Sequence, residues 1–369
     1  MSQRRPRRGH TMVDGPTEAR CVHYGLQVIT LLTRRAAGAV WYAAVASCGV
    51  SAQGENMKVA SQPPAVHLRV DDTVGALLEH PAFRGFAGLL LPWDDRRYDT
   101  TMRLREIASL LPYHTHVDPA DVVSSLNRMI DDAAARRTVF HAFYTAAEME
   151  AEPSRRNTGL FFFRGKPGAP FAVIAPGGGF AYVGSVHEGF PYAVEINKRG
   201  FNAFVLRYRA VQGGRFATED LAAALTFIFR NAGPLGVTTA GYSLWGSSAG
   251  ARMAASIGSH GTARFGGATL PRPATVVLLY TGHSDFAPSE PPTFVAVGDA
   301  DGIAPPVLME KRVTALRRAG TDVEYHRYPG VGHGFGLGVG TSAEGWIADA
   351  IRFWEKHMGQ RRGFEDGLR

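Results

Sequence analysis

The stretch Gly241-Tyr242-Ser243-Leu244-Trp245-Gly246-Ser247-Ser248-Ala249-Gly250 decides how this chain is read. It predicts a short strand ending in the pattern G-x-S-x-G, followed by a helix-prone run from Ala251 to Ile257. In that pattern a serine, here Ser248, sits on a strained strand-to-helix turn with its hydroxyl above the sheet. Gly246 and Gly250 matter because a side chain at either place would crowd so sharp a turn. The new helix aims its free N–H groups and positive dipole end at the hydroxyl. A Gly/Ser-rich turn can also carry no chemistry, so the weight falls on what accompanies it.

Around this stretch, from Thr138 onward, strands alternate with helices. Val139–Tyr144, Leu160–Phe163, Phe171–Ala175 and Phe201–Arg207 read as strands, with a helix over Glu188–Lys198. Thr218-Glu219-Asp220 starts a helix through Phe229, its acids in the first turn. Beyond the central stretch come strands at Thr275–Tyr280, Pro292–Val297 and Val323–Tyr328, and helices at Pro306–Arg318 and Ala343–His357. The alternation implies an α/β fold, a mostly parallel, doubly wound sheet with helices on both faces. Chemistry in such sheets gathers at the carboxyl ends of strands.

Three motifs fall at such ends. Pro176-Gly177-Gly178-Gly179-Phe180 brings backbone N–H groups close to a ligand and suits an oxyanion hole, with Gly178 and Gly179 joined by the N–H of Ala249. Neither nucleotide-binding glycine spacing is present there. Gly298-Asp299-Ala300-Asp301 offers two carboxylates that could orient a histidine, and the physics alone does not choose between Asp299 and Asp301. Gly332-His333-Gly334 places a histidine in a glycine-rich loop, free to act as general base. The order serine, acid, histidine is that of α/β-hydrolases.

Residues 138–358 resemble α/β-hydrolases of the esterase/lipase class, and most of all the acetyl-xylan or feruloyl esterase-like branch, near the dienelactone-hydrolase group. The matching segments are Pro176–Phe180, His187-Glu188-Gly189, Gly200–Tyr208, Leu244–Gly250 and His333–Gly336. The family pattern G-x-x-D-x-x-[VA]-P selects Asp301. Pro176 stands where many esterases have histidine, a form familiar in this branch. The resemblance implies acyl transfer through an acyl-enzyme: His333 deprotonates Ser248, Asp301 fixes the histidine tautomer, and Gly178, Gly179 and Ala249 hold the oxyanion. No metal or organic cofactor is required.

The net charge of +7 is concentrated at one end. Seven arginines against Asp14 and Glu18 give residues 1–52 a charge of +5, leaving +2 for the rest, so the balance does not argue for nucleic acid. Arg34-Arg35, an apolar run over Ala36–Val50 and Val50-Ser51-Ala52 read as a signal peptide, too short for a membrane span. Val45-Ala46-Ser47-Cys48 also reads as a lipoprotein box with a lipid anchor at Cys48. The expectation is an exported protein, periplasmic or extracellular, or a cytoplasmic one if the leader reflects a misplaced gene start. Both cysteines, Cys21 and Cys48, lie in this leader.

Residues 53–65 read as a linker and 359–369 as a polar tail. Residues 66–137 form an accessory segment with a helix over Ala120–Arg137 and helical spacing at Leu104, Ile107, Ala108 and Leu111. His114 and His116 lack a third metal ligand at helpful spacing and read as ordinary loop histidines. The apolar positions of this segment need a surface, so it is expected to pack on the catalytic domain as a cap that walls the acyl pocket, with Tyr182 and Trp245 as candidates to narrow it. Core packing is the competing role for both aromatics, more so for Trp245.

The sequence therefore points to a serine carboxylesterase acting on short-chain, acetyl esters of a small molecule or a glycan such as xylan. The alternatives are a serine peptidase or acyltransferase on the same fold, and a non-catalytic binding protein with the hydrolase fold.

Overall fold

The computed structural model describes residues 65–366. The leader, Cys21, Cys48 and nearly all of the linker lie outside the described residues. Among those described, no helix is long and apolar enough to cross a membrane.

Eight strands form one sheet: β1 (Phe140–His141), β2 (Gly159–Phe163), β3 (Phe171–Ala175), β4 (Asn202–Arg207), β5 (Ser243–Ser247), β6 (Thr275–Leu279), β7 (Thr293–Gly298) and β8 (Val323–Tyr328). Their spatial order is β1-β2-β4-β3-β5-β6-β7-β8. β1 and β2 pair antiparallel, and every pairing from β4 to β8 is parallel. β2, antiparallel to both of its neighbours, and the parallel strands β3 to β7 are buried at every position, as strands covered on both faces must be.

Alternate residues feed two cores, following the two-residue period of a strand. Phe162, Val173, Leu244 and Val276 face the helices Gly214–Arg230, Ala249–His260 and Pro306–Arg318. Phe161, Ile174, Trp245 and Phe294 face the helices Phe190–Lys198 and Trp346–Asp366. The second core also contains Leu77, Phe83, Leu104, Ile107, Leu126 and Ile130 from residues 66–137. That segment therefore shares one core with the sheet.

Several boundaries differ from the sequence expectation, each for a local reason. β1 is only two residues long, and Tyr144 turns away to donate a hydrogen bond to Asp220 at 2.7 Å. The helix expected from Thr218 begins at Gly214, behind Gly213 with φ 87°. Asp220 is consequently not a first-turn acid; it is fully buried and paired with Arg209 at 2.6 Å. The helix expected from Ala343 begins at Trp346, because Gly345 with φ 89° breaks the chain there, and it runs to Asp366 into the expected tail. The helix over Ala120–Arg137 is observed as Pro119–Ala134, capped by Asp118. Leu104–Leu110 forms a 3₁₀ turn rather than an α-helix.

Candidate active site

β5 ends at Ser247 and the next helix starts at Ala249, so Ser248 alone makes the turn. Its backbone sits at φ 50° and ψ −114°, a region that non-glycine residues rarely adopt. The Ser248 N–H donates to Leu279 O at 2.9 Å and fixes the turn to β6. An added Cβ on Gly246 would lie 2.4 Å from Gly250 O, and one on Gly250 would lie 1.8 Å from Ala175 O. Both glycines are therefore steric requirements of the turn.

The loop after β8 brings the Nε2 of His333 to 2.9 Å from Ser248 Oγ. Its Nδ1 lies 2.8 Å from Asp301 Oδ2, in the loop after β7. The other oxygen of Asp301 accepts the N–H groups of Ile303 and Ala304 at 2.8 and 2.7 Å, which locks the carboxylate in place. Asp299 is exposed and serves a different loop, accepting the Gly330 N–H at 2.6 Å. The geometry thus separates two acids that the sequence left side by side.

The loop after β3 carries Gly178 at φ 130° and Gly179 at φ 64°, both glycine-favoured conformations. Among the described residues no hydrogen bond engages the N–H of either glycine. Ala249 opens its helix, so its N–H has no intrahelical acceptor. Gly177 lies so close to the serine that an added Cβ would be 2.9 Å from Ser248 Cβ. The loop is thus tied to the serine side of the turn, where free N–H groups can meet an oxygen bearing developing charge.

Beneath this loop is a charged group with no role in the sequence expectation. Glu188 is fully buried, and its Oε2 accepts the Gly177 N–H at 2.5 Å. Its Oε1 accepts the Tyr280 hydroxyl at 2.6 Å and lies 3.0 Å from His114 Nε2. Burial pushes this carboxyl up, but the charge of His114, hydrogen bonds from His114 and Tyr280, and the charge of His187 outweigh it and hold the pKa at about 2. His187, buried against the His114 ring, is pushed down to about 4 by burial and then by His114. Burial and the neighbouring Glu188 raise the Tyr280 phenol well above its ordinary value.

His114 is therefore not an ordinary loop histidine, whereas His116 is exposed. The His114 Nδ1 lies 2.8 Å from the Tyr182 hydroxyl. Thr115 next to it donates its N–H to Gly334 O and its hydroxyl to His333 O, at 3.0 and 2.9 Å. Residues 113–115 thereby hold both the oxyanion-side loop and the histidine loop.

An open cleft of about 710 Å³ surrounds Ser248, lined in part by Gly179, Phe180, Arg252, Tyr280, Ile303 and His333. Its lining includes no residue of 66–137, although the half-exposed Tyr113 ring stands beside Gly179, which does line it. The segment buttresses the catalytic loops from the core side, because its apolar face is spent on the sheet. Tyr182 and Trp245 do not narrow the cleft either. Tyr182 is buried against Trp93 and Tyr113, and Trp245 is buried against Trp346 and Trp354.

Residues 164–274 match the family model BD-FAE, and residues 283–361 match the Prolyl oligopeptidase family. No curated protein sequence matches the chain. Among solved structures, the acetyl ester-xyloside bifunctional hydrolase from Caldicellulosiruptor lactoaceticus is 20% identical with a TM-score of 0.52, over 59% of this chain and 95% of that one. A carboxylesterase from Lactobacillus plantarum is 21% identical with a TM-score of 0.47, over 54% and 92% of the two chains. An α/β hydrolase from a Medee basin deep-sea metagenome library is 23% identical with a TM-score of 0.47, over 55% and 93%. The mostly parallel sheet and the likeness to these solved structures show an α/β-hydrolase fold, and the two partial family matches, one in each half of the sheet, ally the chain with BD-FAE proteins and with prolyl oligopeptidases.

Proposed function

We propose that the protein is a carboxylesterase that cleaves short-chain esters, acetate foremost, from a polar alcohol such as a carbohydrate. The observation that carries the reading is the chain of contacts Ser248–His333–Asp301 beside the free N–H groups of Gly178, Gly179 and Ala249. In the reaction His333 takes the Ser248 proton as Oγ attacks the ester carbonyl. The three N–H groups stabilise the oxyanion, and Asp301 stabilises the imidazolium. His333 then protonates the leaving alcohol, and water attacks the acyl-enzyme by the same route in reverse.

Short acyl groups are favoured by what lies below the serine. Gly177, Glu188 and Tyr280 are buried there, and a buried carboxylate offers no place for an alkyl chain. A polar alcohol is favoured by Arg252, Ser256, His260, His283 and Asp285 in the cleft wall, which stand beside the apolar Phe180, Phe265 and Ile303. The acetyl ester activity named for the Caldicellulosiruptor enzyme agrees with this reading. The test is a panel of p-nitrophenyl esters from acetate to octanoate, together with acetate release from acetylated glycans. kcat/KM should be highest for acetate; a rise toward octanoate would refute the short-acyl reading.

A second reading is peptidase activity, favoured by the Prolyl oligopeptidase match over the residues that hold Asp301 and His333. Cleavage of peptidyl p-nitroanilides at rates rivalling the acetate ester would establish it.

A further inference from the structure

One wall of the cleft is a single stripe of the helix that follows the serine. Ser248, Arg252, Ser256 and His260 all line it, at the i, i+4 spacing that stacks side chains along one helix face. The stripe carries the cleft about 18 Å from Ser248 along the helix axis, and Arg252 stands about 6 Å along it. Arg264 lies beyond the end of the helix, where it lines both this cleft and a second groove of about 1080 Å³.

The charge on this wall is not used up within the protein. Arg252 and Arg264 are exposed, and among the described residues neither guanidinium has a carboxylate or hydrogen-bond partner. The buried arginines differ: Arg207, Arg209 and Arg312 are paired with Asp94, Asp220 and Glu290. Of the acids at the cleft, Asp285 is exposed and hydrogen-bonded to His260 at 2.9 Å, and Asp301 is held by His333; neither touches Arg252. In the same cleft the Nε2 of His283 is buried with no partner among the described residues. Burial, then Arg312 and Arg252, push His283 down to about 4, so near pH 7 it is a neutral ring able to bond a hydroxyl.

We propose that the ester cleaved at Ser248 is borne by a carboxylate-carrying alcohol, with the carboxylate about one ring width from the ester oxygen and bound by Arg252, as in an acetylated acidic glycan. Arg264 takes the next anionic unit along the same chain. This rests on the esterase reading and deepens it. Arginine suits the task because its planar fork matches a carboxylate in bidentate fashion.

The test uses 4-acetoxybenzoate, whose carboxylate lies one ring away from the ester oxygen, and its neutral methyl ester. Binding of each to Ser248→Ala protein is measured by calorimetry at low salt, so that no turnover intervenes. The acid should bind about fivefold more tightly than the methyl ester, the scale of an exposed ion pair. Arg252→Gln should collapse that ratio towards one, and 0.5 M salt should do the same. Equal affinity for the two ligands, or a preference that survives Arg252→Gln with Arg264→Gln, would overturn the inference. Turnover of the methyl ester by the wild-type protein reports separately on the esterase reading. A charge-selective but inactive protein would keep the carboxylate site at Arg252 and overturn its use in ester cleavage, and an active but charge-blind one would overturn the inference while leaving the esterase reading intact.

Discussion

Glu188 and His114 meet at 3.0 Å beneath the glycine loop, each almost wholly inaccessible to solvent. The pair joins residues 66–137 to the segment that precedes the helix Phe190–Lys198. Through the Gly177 N–H it also fixes the loop that faces Ser248. Breaking one partner leaves the other buried and uncompensated, which costs about 3–5 kcal/mol. Glu188→Gln is therefore expected to lower the urea midpoint markedly and to reduce kcat together with stability. A Glu188→Gln protein as stable as wild type would show that the pair is not a structural keystone.

The same group sets a pH dependence. The folded pKa of Glu188, about 2, lies below its ordinary value of 4.5. Its contribution is fully present above about pH 4.5 and is lost as pH falls from there towards 2. His187, depressed from 6.5 to about 4, adds a loss between those two values. Urea melts at pH 7, 5 and 3 should show falling stability across both windows. In Glu188→Gln the fall below pH 4.5 should be smaller, and an unchanged slope would contradict the assignment.

Asp301→Asn should lower kcat by on the order of 10³–10⁴-fold, since His333 loses the partner that fixes its tautomer. Asp299→Asn only exchanges a charged for a neutral acceptor of the Gly330 N–H and should leave kcat within about threefold, with a loss of at most about 1 kcal/mol in stability. Steady-state kinetics on p-nitrophenyl acetate separate the two, and a reversal of the effects would refute the assignment of the acid.

Gly250→Ala should destabilise the fold by more than about 3 kcal/mol or prevent folding, because its Cβ would press on the Ala175 carbonyl of a central strand. Thermal melts, or soluble yield if the variant does not fold, measure this. A variant with near wild-type stability would show that the turn can relax.

The sheet was legible because its strands are continuous apolar runs and its catalytic loops follow those runs in chain order. Ser248, Asp301 and His333 each carry a local glycine-rich signature that points to a strand end. Glu188 appears in the sequence only as part of His187-Glu188-Gly189, with nothing local to mark a buried carboxylate. His114 was hidden because its partners, Glu188, Tyr182 and the His333 loop, are distant in the chain and meet only once the sheet has formed. Apolar spacing in 66–137 showed that a face must be buried on the catalytic domain, as it is, but not which surface of that domain buries it. Arg252 was recoverable, since it stands one helical turn after the serine on the same face.

The most direct test of the account is the hydrolysis of p-nitrophenyl acetate by wild type and Ser248→Ala, with intact-mass analysis after treatment with a fluorophosphonate. The account predicts a wild-type kcat/KM that falls by at least about 10⁴-fold in the variant. It also predicts a single adduct on the wild type, mapped to Ser248 and absent from Ser248→Ala. Undiminished hydrolysis by Ser248→Ala, or an adduct mapped to another residue, would contradict it.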